Sequence, residues 1–376
     1  MTALTLTDTE LEAPQRAPTR RRSLIEFLLV GGGTLLVLPA LYVLRQQLGM
    51  DHAEYVVGFL MFHLAVIINN PHFAVTYLLF YGDARRHTLA TGTKRVQLLR
   101  YVFAGVVVPL ALAVWVAAAL TDHTAVRLGL LIQLMFVLVG WHYVKQGFGV
   151  LSVLSQRRGA RYTPRERHVV LAHCIAGWLC ARTNPRDPGK ASVLDDVLYT
   201  SLPHPAGLDR ITAALFVLSS VALVVVLLQK RRREGRFPPL VPLFGLLITI
   251  WLWLVFSRLD PLLAYVIPAL HSLQYLYFVW LLKTNQARAK QAAPQLRAVK
   301  WAFIVPLIGA VALGWLLFRG IPSLLDNFLV LSDSLDPLGV TPYLAAIGTA
   351  LNIHHYFMDA VIWRRDNPAT RHLLQP

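Results

Sequence analysis

Long apolar runs recur along the whole chain and constrain its fold more than any other feature. The sequence has 376 residues, of which 56% are hydrophobic and 15% charged, and its mean hydropathy is +0.52. A helix needs roughly 20 apolar residues to cross a hydrocarbon layer of about 30 Å, where backbone groups must be hydrogen-bonded within the chain. The pattern predicts an all-α, polytopic membrane helix bundle of about ten transmembrane helices, over residues 24–45, 52–82, 99–121, 126–154, 165–182, 211–229, 239–257, 261–283, 299–319 and 341–364.

Positive charge is concentrated in alternate loops. The formal net charge is +16, and most of the 36 Lys and Arg lie in the N-terminal tail and in every second loop, as in Arg20–Arg22 and Lys230–Arg233. Because basic residues of short loops stay on the cytoplasmic side, this predicts both termini in the cytoplasm (N-in/C-in) of a bacterial-type inner membrane. Topology therefore explains the charge, and we expect no nucleic acid as a partner.

The same pattern divides the chain into three regions. Residues 1–22 are predicted to be a disordered cytoplasmic tail, residues 23–365 a single transmembrane helical domain, and residues 366–376 a second cytoplasmic tail. Thr163-Pro164-Arg165-Glu166 predicts a capped helix start, because Thr and Glu three residues apart can form a capping box around a first-turn proline. Cys174 and Cys180 share one apolar segment and point to different sides of a helix, so we expect no disulfide between them.

Histidines inside the apolar segments fall at a similar depth. Counted from the cytoplasmic ends of the predicted helices, they lie about 9 to 12 residues in, or roughly 13–18 Å at the rise of an α-helix. Ionisable groups in lipid are costly and usually functional. We predict a metal site from His72, His142, His271, His354 and His355, with His63 and His173 as further candidates.

Each of these histidines has polar neighbours about one helical turn away. Side chains three or four residues apart share a helix face, and metal-bound imidazoles usually donate their other N–H to an oxygen acceptor. The residues expected to orient the ligands are Asn69, Asn70, Gln146, Gln274 and Asn352. Pro71 and Pro268 are expected to break their helices beside His72 and His271.

Lys145 and Asp359 are the two charged residues predicted to act in the reaction. Lys145 is expected to pair with Asp359, to snorkel toward the cytoplasm or to neutralise the head of a substrate, and Asp359 to support His355. A site rich in histidine and poor in carboxylates argues against Mg²⁺ and Ca²⁺ and suits iron, zinc or copper. Non-haem iron is the expected cofactor, with haem b or zinc as alternatives.

Two groups of histidine-rich membrane iron oxygenases share features with the chain. Trp141-His142-Tyr143 and His271-Ser272-Leu273-Gln274 resemble the style of the membrane carotene-cleaving dioxygenases, in which histidines from separate helices hold one iron. His354-His355 resembles the fatty-acid desaturases and hydroxylases, although their HxxxH and HxxHH boxes are absent. The resemblance implies an iron-dependent oxidation of a lipophilic compound and transfers no residue assignment.

The expected function is therefore a membrane-embedded, metal-dependent oxygenase, hydroxylase or desaturase. Its partners would be a lipophilic small molecule, the lipid bilayer and an electron donor. An apolar tunnel is expected to be lined by Phe73, Trp141, Phe148, Tyr275 and Tyr356. Two alternatives stay open: a redox protein that binds b-type haem through paired histidines, and a proton-coupled transporter with a relay of His, Lys and Asp.

Overall fold

The computed structural model describes most of the chain, and helices dominate it. The described residues are 20–89, 95–121, 124–183, 191–194, 197–257, 260–290, 296–329, 338–364 and 366–374. The helices are α1 (Arg20–Phe27), α2 (Thr34–Leu48), α3 (Met50–Leu64), α4 (Asn69–Leu89), α5 (Arg95–Val102), α6 (Val108–Thr121), α7 (Ala125–Arg157), α8 (Pro164–Arg182), α9 (Leu208–Glu234), α10 (Leu240–Leu247), α11 (Pro261–Lys290), α12 (Leu296–Trp315), α13 (Ile321–Phe328) and α14 (Pro342–Ile362). Short π-helical segments continue α1, α5, α10 and α12, over Leu28–Gly32, Phe103–Val107, Ile248–Val255 and Leu316–Gly320.

Six helices within the described ranges are long and apolar enough to cross a membrane. They are Met50–Arg85, Arg95–Thr121, Ala125–Arg157, Leu208–Glu234, Pro261–Ala289 and Ile304–Phe328. A seventh span is obtained if Arg20–Gly32 and Thr34–Leu48, bent by 57°, are taken as one. Large apolar side chains such as Val217 and Leu218 remain 60% and 65% exposed on the outside of the bundle. These features indicate a membrane protein built from helices.

Every predicted span falls on one helix or on two consecutive helices. Three of the predicted spans do not reach the length and hydropathy expected of a membrane span. Leu240–Val255 is apolar and short. The other two, α8 and α14, carry His173 and the pair His354-His355 together with Asp359. Because buried polar side chains lower the hydropathy of the helix that carries them, composition alone does not mark α14 as a span.

A short break separates α3 from α4, where the sequence predicts a helix disturbed near Pro71. Residues 65–68 form turns, and the Asn70 N–H donates to the carbonyl of Ala65 at 2.7 Å. Proline has no N–H and its ring clashes with the carbonyl four residues earlier, here that of Ile67. The break therefore lies one turn before the proline, and α4 begins at Asn69 next to His72. In α11, by contrast, the helix continues through Pro268.

Two helix starts show different caps. The capping box predicted at α8 is present: Thr163 Oγ1 accepts from the N–H of Glu166 at 3.3 Å, and Glu166 Oε2 accepts from the N–H of Thr163 at 2.8 Å. At α14, the carboxylate of Asp326 on α13 accepts from the N–H groups of Tyr343 and Leu344 at 2.8 and 3.1 Å. The segment that contains α13 therefore fixes the start of α14.

The outer parts of the chain contain elements that the sequence pattern does not predict. A short antiparallel hairpin of β1 (Ala191–Leu194) and β2 (Val197–Thr200) accompanies the helices. Arg20–Arg22, assigned to the N-terminal tail, form the first turn of α1, whereas residues 1–19 lie outside the described part. The C-terminal tail contains a 3₁₀ helix, Pro368–Leu374, whose Leu373 carbonyl accepts from Arg157 Nη1 at 2.8 Å. Both cysteines remain thiols, as expected.

Candidate metal centre

Four helices bring their polar side chains to one buried point. His72 comes from α4, His142 from α7, His271 from α11, and His355 with Asp359 from α14. All five are at most 6% exposed. Helix α14 packs against both α4 and α7, and α11 packs against α4, so the four helices surround this point.

The donor atoms of the histidines lie in two close pairs. His72 Nε2 is 3.1 Å from His355 Nε2, and His142 Nε2 is 3.1 Å from His271 Nε2. Ligand atoms lie about 2.1 Å from a transition metal, so two ligands at 90° to 109° are about 3.0–3.4 Å apart. The observed spacing is that of neighbouring ligands on one ion. Two sets of three side chains, His72 with His271 and His355, and His142 with His355 and Asp359, place their ligand atoms within 4.8 Å of one another.

Asp359 is aimed at the histidine cluster and held from behind. Its Oδ2 lies 3.3 Å from His355 Nε2 and 3.7 Å from His142 Nε2. Its other oxygen, Oδ1, accepts from the Tyr275 hydroxyl at 3.1 Å and from Trp363 Nε1 at 3.2 Å. A carboxylate bound in this way presents one oxygen to a cation and uses the other for orientation. Tyr275 and Trp363 in these roles were not anticipated, although Trp363 stands one turn after Asp359.

The hydrogen bonds of His72 fix its tautomer. Its Nδ1 lies 2.9 Å from the carbonyl oxygen of Asn69. A carbonyl can only accept, so Nδ1 carries the proton and the lone pair of Nε2 faces the cluster. Ser272 Oγ lies 2.9 Å from the same Nδ1 and donates to Asn69 Oδ1 at 2.8 Å or to the Pro268 carbonyl at 2.7 Å. Asn69 therefore contacts the His72 ring through its backbone carbonyl and not through its side-chain amide.

The backbone around His271 is held by two glutamines. Gln146 Nε2 lies 3.2 Å from the His271 carbonyl and 2.7 Å from Gln274 Oε1, and Gln274 Nε2 donates to the Val30 carbonyl at 2.6 Å. These contacts join α7, α11 and the π-helical segment after α1. In the part of the chain that the structure describes, the Nδ1 atoms of His271 and His355 have no hydrogen-bond partner. The protein therefore does not fix the tautomer of these two rings.

The two predicted asparagines Asn70 and Asn352 lie beside the cluster without bonding to its imidazoles. Asn70 is buried and its Nδ2 has no hydrogen-bond partner among the described residues, while its backbone lies against Gly314 of α12. Asn352 donates to the Gly348 carbonyl at 2.8 Å and accepts from the Tyr356 hydroxyl at 3.3 Å. The Tyr356 ring lies over that of His142, with centroids 4.8 Å apart, so Asn352 positions an aromatic neighbour of the cluster.

Three predicted histidines lie outside the cluster. His354 donates from Nε2 to the Ala104 carbonyl at 2.9 Å, so its Nδ1 accepts from the Tyr77 hydroxyl at 2.8 Å, and no nitrogen remains for a metal. His173 lies between Ser219 and Trp251, at 3.3 Å from each. His63 is exposed, with its ring against Phe59.

Lys145 does not form the predicted pair with Asp359. Its side chain is exposed, with Nζ 5.7 Å from the centre of the Trp141 ring. Among the described residues no ion pair joins Lys145 to Asp359, whose oxygens are directed at Tyr275, Trp363 and the histidines. Three residues along a helix separate His142 and Lys145, but the lysine head extends outward.

A cavity of about 480 Å³ reaches the cluster and is lined by His72 and His271. This volume is within the range of small-molecule sites, roughly 300–1,000 Å³. Of the five aromatic residues predicted to line a tunnel, Phe73 and Tyr356 do so. The other three lie elsewhere: Trp141 packs on Trp178, Phe148 lies under Arg167, and Tyr275 is bonded to Asp359.

Comparison with known proteins adds no further information about this chain, because no family model, curated protein or solved structure matches it.

Proposed function

We propose that this protein is a membrane-embedded, metal-dependent oxidoreductase that acts on a lipophilic substrate. His72, His142, His271, His355 and Asp359 would hold the metal. The observation that supports this most directly is the convergence of five buried donors from four helices at the spacing of metal ligands. Buried imidazoles and a carboxylate would otherwise incur a large desolvation cost for no evident gain in packing.

One ion fits this arrangement better than two. The two sets of three donors share His355, whose Nε2 faces both His72 and Asp359. Because one nitrogen lone pair binds one ion, the shared nitrogen joins both sets into a single centre of up to five donors.

The donor set favours iron. Four imidazoles and one carboxylate exceed the three or four protein ligands that zinc usually takes in tetrahedral sites. Iron accepts more ligands, including mixed imidazole and carboxylate sets. Non-haem iron is therefore the proposed cofactor, and zinc is the alternative that metal analysis decides. Bound iron would supply oxidation chemistry that protein side chains lack.

The cavity suggests where a substrate would lie. Its walls are mostly apolar and reach His72 and His271, so a lipophilic molecule could place a carbon beside the metal centre. The protein would exclude bulk water there and orient the reacting carbon. Complete reduction of O₂ takes four electrons. Hydroxylation and desaturation each take two of them from the substrate and two from outside it, so either reaction would require an electron donor as partner.

Haem b fits the cluster less well than a single ion. Two axial histidines of one haem lie on opposite faces of the macrocycle, about 4 Å apart. The two nitrogen pairs here are 3.1 Å apart, with ring centroids 4.6 and 4.9 Å apart, which leaves no gap for a porphyrin. The transporter alternative, with its relay of His, Lys and Asp, needs no metal, so the metal content of the protein distinguishes it from the other two.

The proposed topology follows the charge pattern. Ten spans with both termini in the cytoplasm of a bacterial-type inner membrane would place the basic loops inside. Helices α8 and α14 would then cross the membrane, although their polar side chains lower their hydropathy. Both would be shielded by the more apolar helices around them.

Metal analysis of the purified protein tests the proposal. Elemental analysis after iron-replete, anaerobic purification should give about one iron per chain. His142→Ala and His271→Ala should each lose most of it, whereas His63→Ala, a histidine outside the cluster, should retain it. A visible spectrum with a sharp Soret band would support haem instead. Absence of stoichiometric metal in the wild-type protein would leave the transporter as the better explanation.

A further inference from the structure

Arg182 lies farther along the bundle than the histidines. Trp178 Nε1 donates to the Val137 carbonyl at 3.1 Å, and Arg182 is one turn beyond Trp178 in the direction away from His142, because α7 and α8 are antiparallel. Arg182 is the last residue of α8, and it lines the same cavity as His72 and His271. Between these ends the walls are mostly apolar and include Phe136, Val139, Leu254 and Ile267. The cavity therefore has one cationic end, one end at the candidate metal centre, and a hydrophobic middle.

The residues of α11 give the length of this space. Ala264, Ile267 and His271 all line the cavity, and their spacing of three and four residues places them on one helix face. Seven residues of helix rise by about 10 Å. The cavity thus runs for at least that distance along α11, enough for an extended alkyl chain rather than a small polar molecule.

The guanidinium of Arg182 is available to a ligand. The side chain is half-buried. Within the described ranges no carboxylate forms an ion pair with it. The titratable group that interacts with it electrostatically is the Tyr199 phenol. A guanidinium can bind a carboxylate or phosphate through two parallel hydrogen bonds, and such bonds are stronger where water is partly excluded.

We propose that the cavity binds an amphipathic molecule with one anionic head, which pairs with Arg182 while its apolar tail extends to His72 and His271. This deepens the proposed function, because the tail would be the part that is oxidised. Binding itself depends on Arg182 and the apolar walls and needs no metal. Carboxylate and phosphate heads share the required chemistry, so both belong in the test.

Binding of matched twelve-carbon probes distinguishes the head from the tail. The full-length protein would be placed in phosphatidylcholine nanodiscs, and saturable binding of radiolabelled dodecanoate, dodecyl phosphate and dodecanol measured above partition into empty nanodiscs. At least one of the two anions should bind more tightly than dodecanol. Arg182→Gln should weaken that binding by about tenfold or more and leave dodecanol unchanged. Arg182→Lys should keep part of the preference.

Two further variants make the result decisive. Arg210→Gln removes an exposed arginine that does not line the cavity and should change nothing. Ala264→Trp fills the cavity and should weaken all three probes. Equal effects of Arg182→Gln and Arg210→Gln, or equal affinity for dodecanol and both anions, would overturn the inference. Measurements on metal-depleted protein keep this test separate from the proposed function, because either can fail while the other holds.

Discussion

At the scale of single residues, the candidate centre depends on side chains that hold its ligands in place. Tyr275 illustrates this, because its hydroxyl donates to Asp359 and accepts from Thr76 Oγ1 at 2.6 Å. Thr76 also reaches the carbonyl of His72 at 3.0 Å. These contacts therefore link the Asp359 carboxylate on α14 to the helix that carries His72.

Tyr275→Phe should weaken metal binding without unfolding the protein. The change removes one of the two hydrogen bonds to Asp359 Oδ1 and leaves Trp363 as the other donor. Loss of such a supporting contact typically lowers metal affinity by about 10- to 100-fold. Competition with a chelator measures the affinity. Tyr101→Phe, which removes a buried hydroxyl bonded to Asp83, is the matched control and should leave the affinity unchanged. Equal affinities in the two variants would show that Asp359 is not a ligand.

His354→Ala should show the reverse pattern, with lower stability and normal metal content. The Ala104 carbonyl would lose its donor and the Tyr77 hydroxyl its acceptor. Unsatisfied buried polar groups cost about 1–3 kcal/mol each, so the midpoint of denaturant unfolding in detergent should fall. Metal analysis of the same preparation should match wild type. A metal content as low as that of His142→Ala would return His354 to the ligand set.

Four of the five clustered side chains are among the metal ligands predicted from the sequence, whereas the predicted His354 and the further candidates His63 and His173 lie outside the cluster. His72, His142, His271 and His355 could be found from their shared depth. Neighbouring residues on a helix point about 100° apart, so His354 and His355 cannot both face one centre. Asp359, four residues after His355, was the signal that selects between them. The outward direction of the Lys145 side chain could not be predicted. Its stem is long and flexible, so the spacing from His142 does not determine where the ammonium group lies.

At the scale of helices, close approach of α12 to the start of α4 shapes the region behind His72. A Cβ atom at Gly314 would lie 2.6 Å from the backbone oxygen of Asn70. Only a glycine allows the two helices to pack at this distance. The backbone of Asn70, next to the break before α4, occupies the space that a side chain at residue 314 of α12 would fill. This backbone position therefore requires a glycine at residue 314.

Gly314→Ala should destabilise the protein, whereas Gly309→Ala on the same helix should not. The added methyl group at residue 314 would contact backbone that cannot move aside easily, and overpacking of this kind costs about 1–3 kcal/mol. Apart from the neighbouring backbone of its own helix, no heavy atom of the described residues lies within 4 Å of a Cβ at Gly309, so there alanine should be neutral or slightly stabilising through its helix propensity. Thermal unfolding of the two variants in the same detergent compares them directly. Similar midpoints would show that α12 and α4 are not closely packed.

Helix positions were largely predictable from the sequence, whereas of their interruptions only the break near Pro71 was. Apolar runs define the helices because periodicity and length are local properties. The hairpin at Ala191–Thr200 depends on contacts with α7, where Gln133 Nε2 donates to the Thr200 carbonyl at 3.1 Å and Oε1 accepts from the Leu202 N–H at 2.7 Å. Such tertiary bonds leave no periodic signal in a short segment.

At the scale of the whole molecule, polar groups lie inside and apolar groups outside. The histidine cluster is enclosed by four helices, while α9 and the apolar part of α12 present most of their surface outward. In water this distribution would be unfavourable, and in a bilayer it is expected. Leu240–Val255 is an apolar helical segment shorter than the membrane spans, and it consists of the eight residues of α10 and the eight of its π-helical continuation. At 1.5 Å per residue it is about 24 Å long, somewhat less than the hydrocarbon thickness of about 30 Å.

Reporter fusions at three positions test whether this short segment crosses the membrane. In the proposed topology three spans lie between Arg236 and Pro337, so alkaline phosphatase and fluorescent-protein fusions should report opposite sides at these positions. Two spans lie between Arg158 and Arg236, and these positions should both report the cytoplasm. If Leu240–Val255 were instead a helix packed within the bundle, the number of spans between Arg236 and Pro337 would become even, and Pro337 would report the same side as Arg236.

The basic residues Lys230–Arg233 before the segment and Lys283 and Arg288 two spans later favour crossing, because both groups then lie in the cytoplasm. Neutralising Arg231, Arg232 and Arg233 together should accordingly weaken the preference of the Arg236 fusion for the cytoplasm, whereas neutralising Arg210 should not.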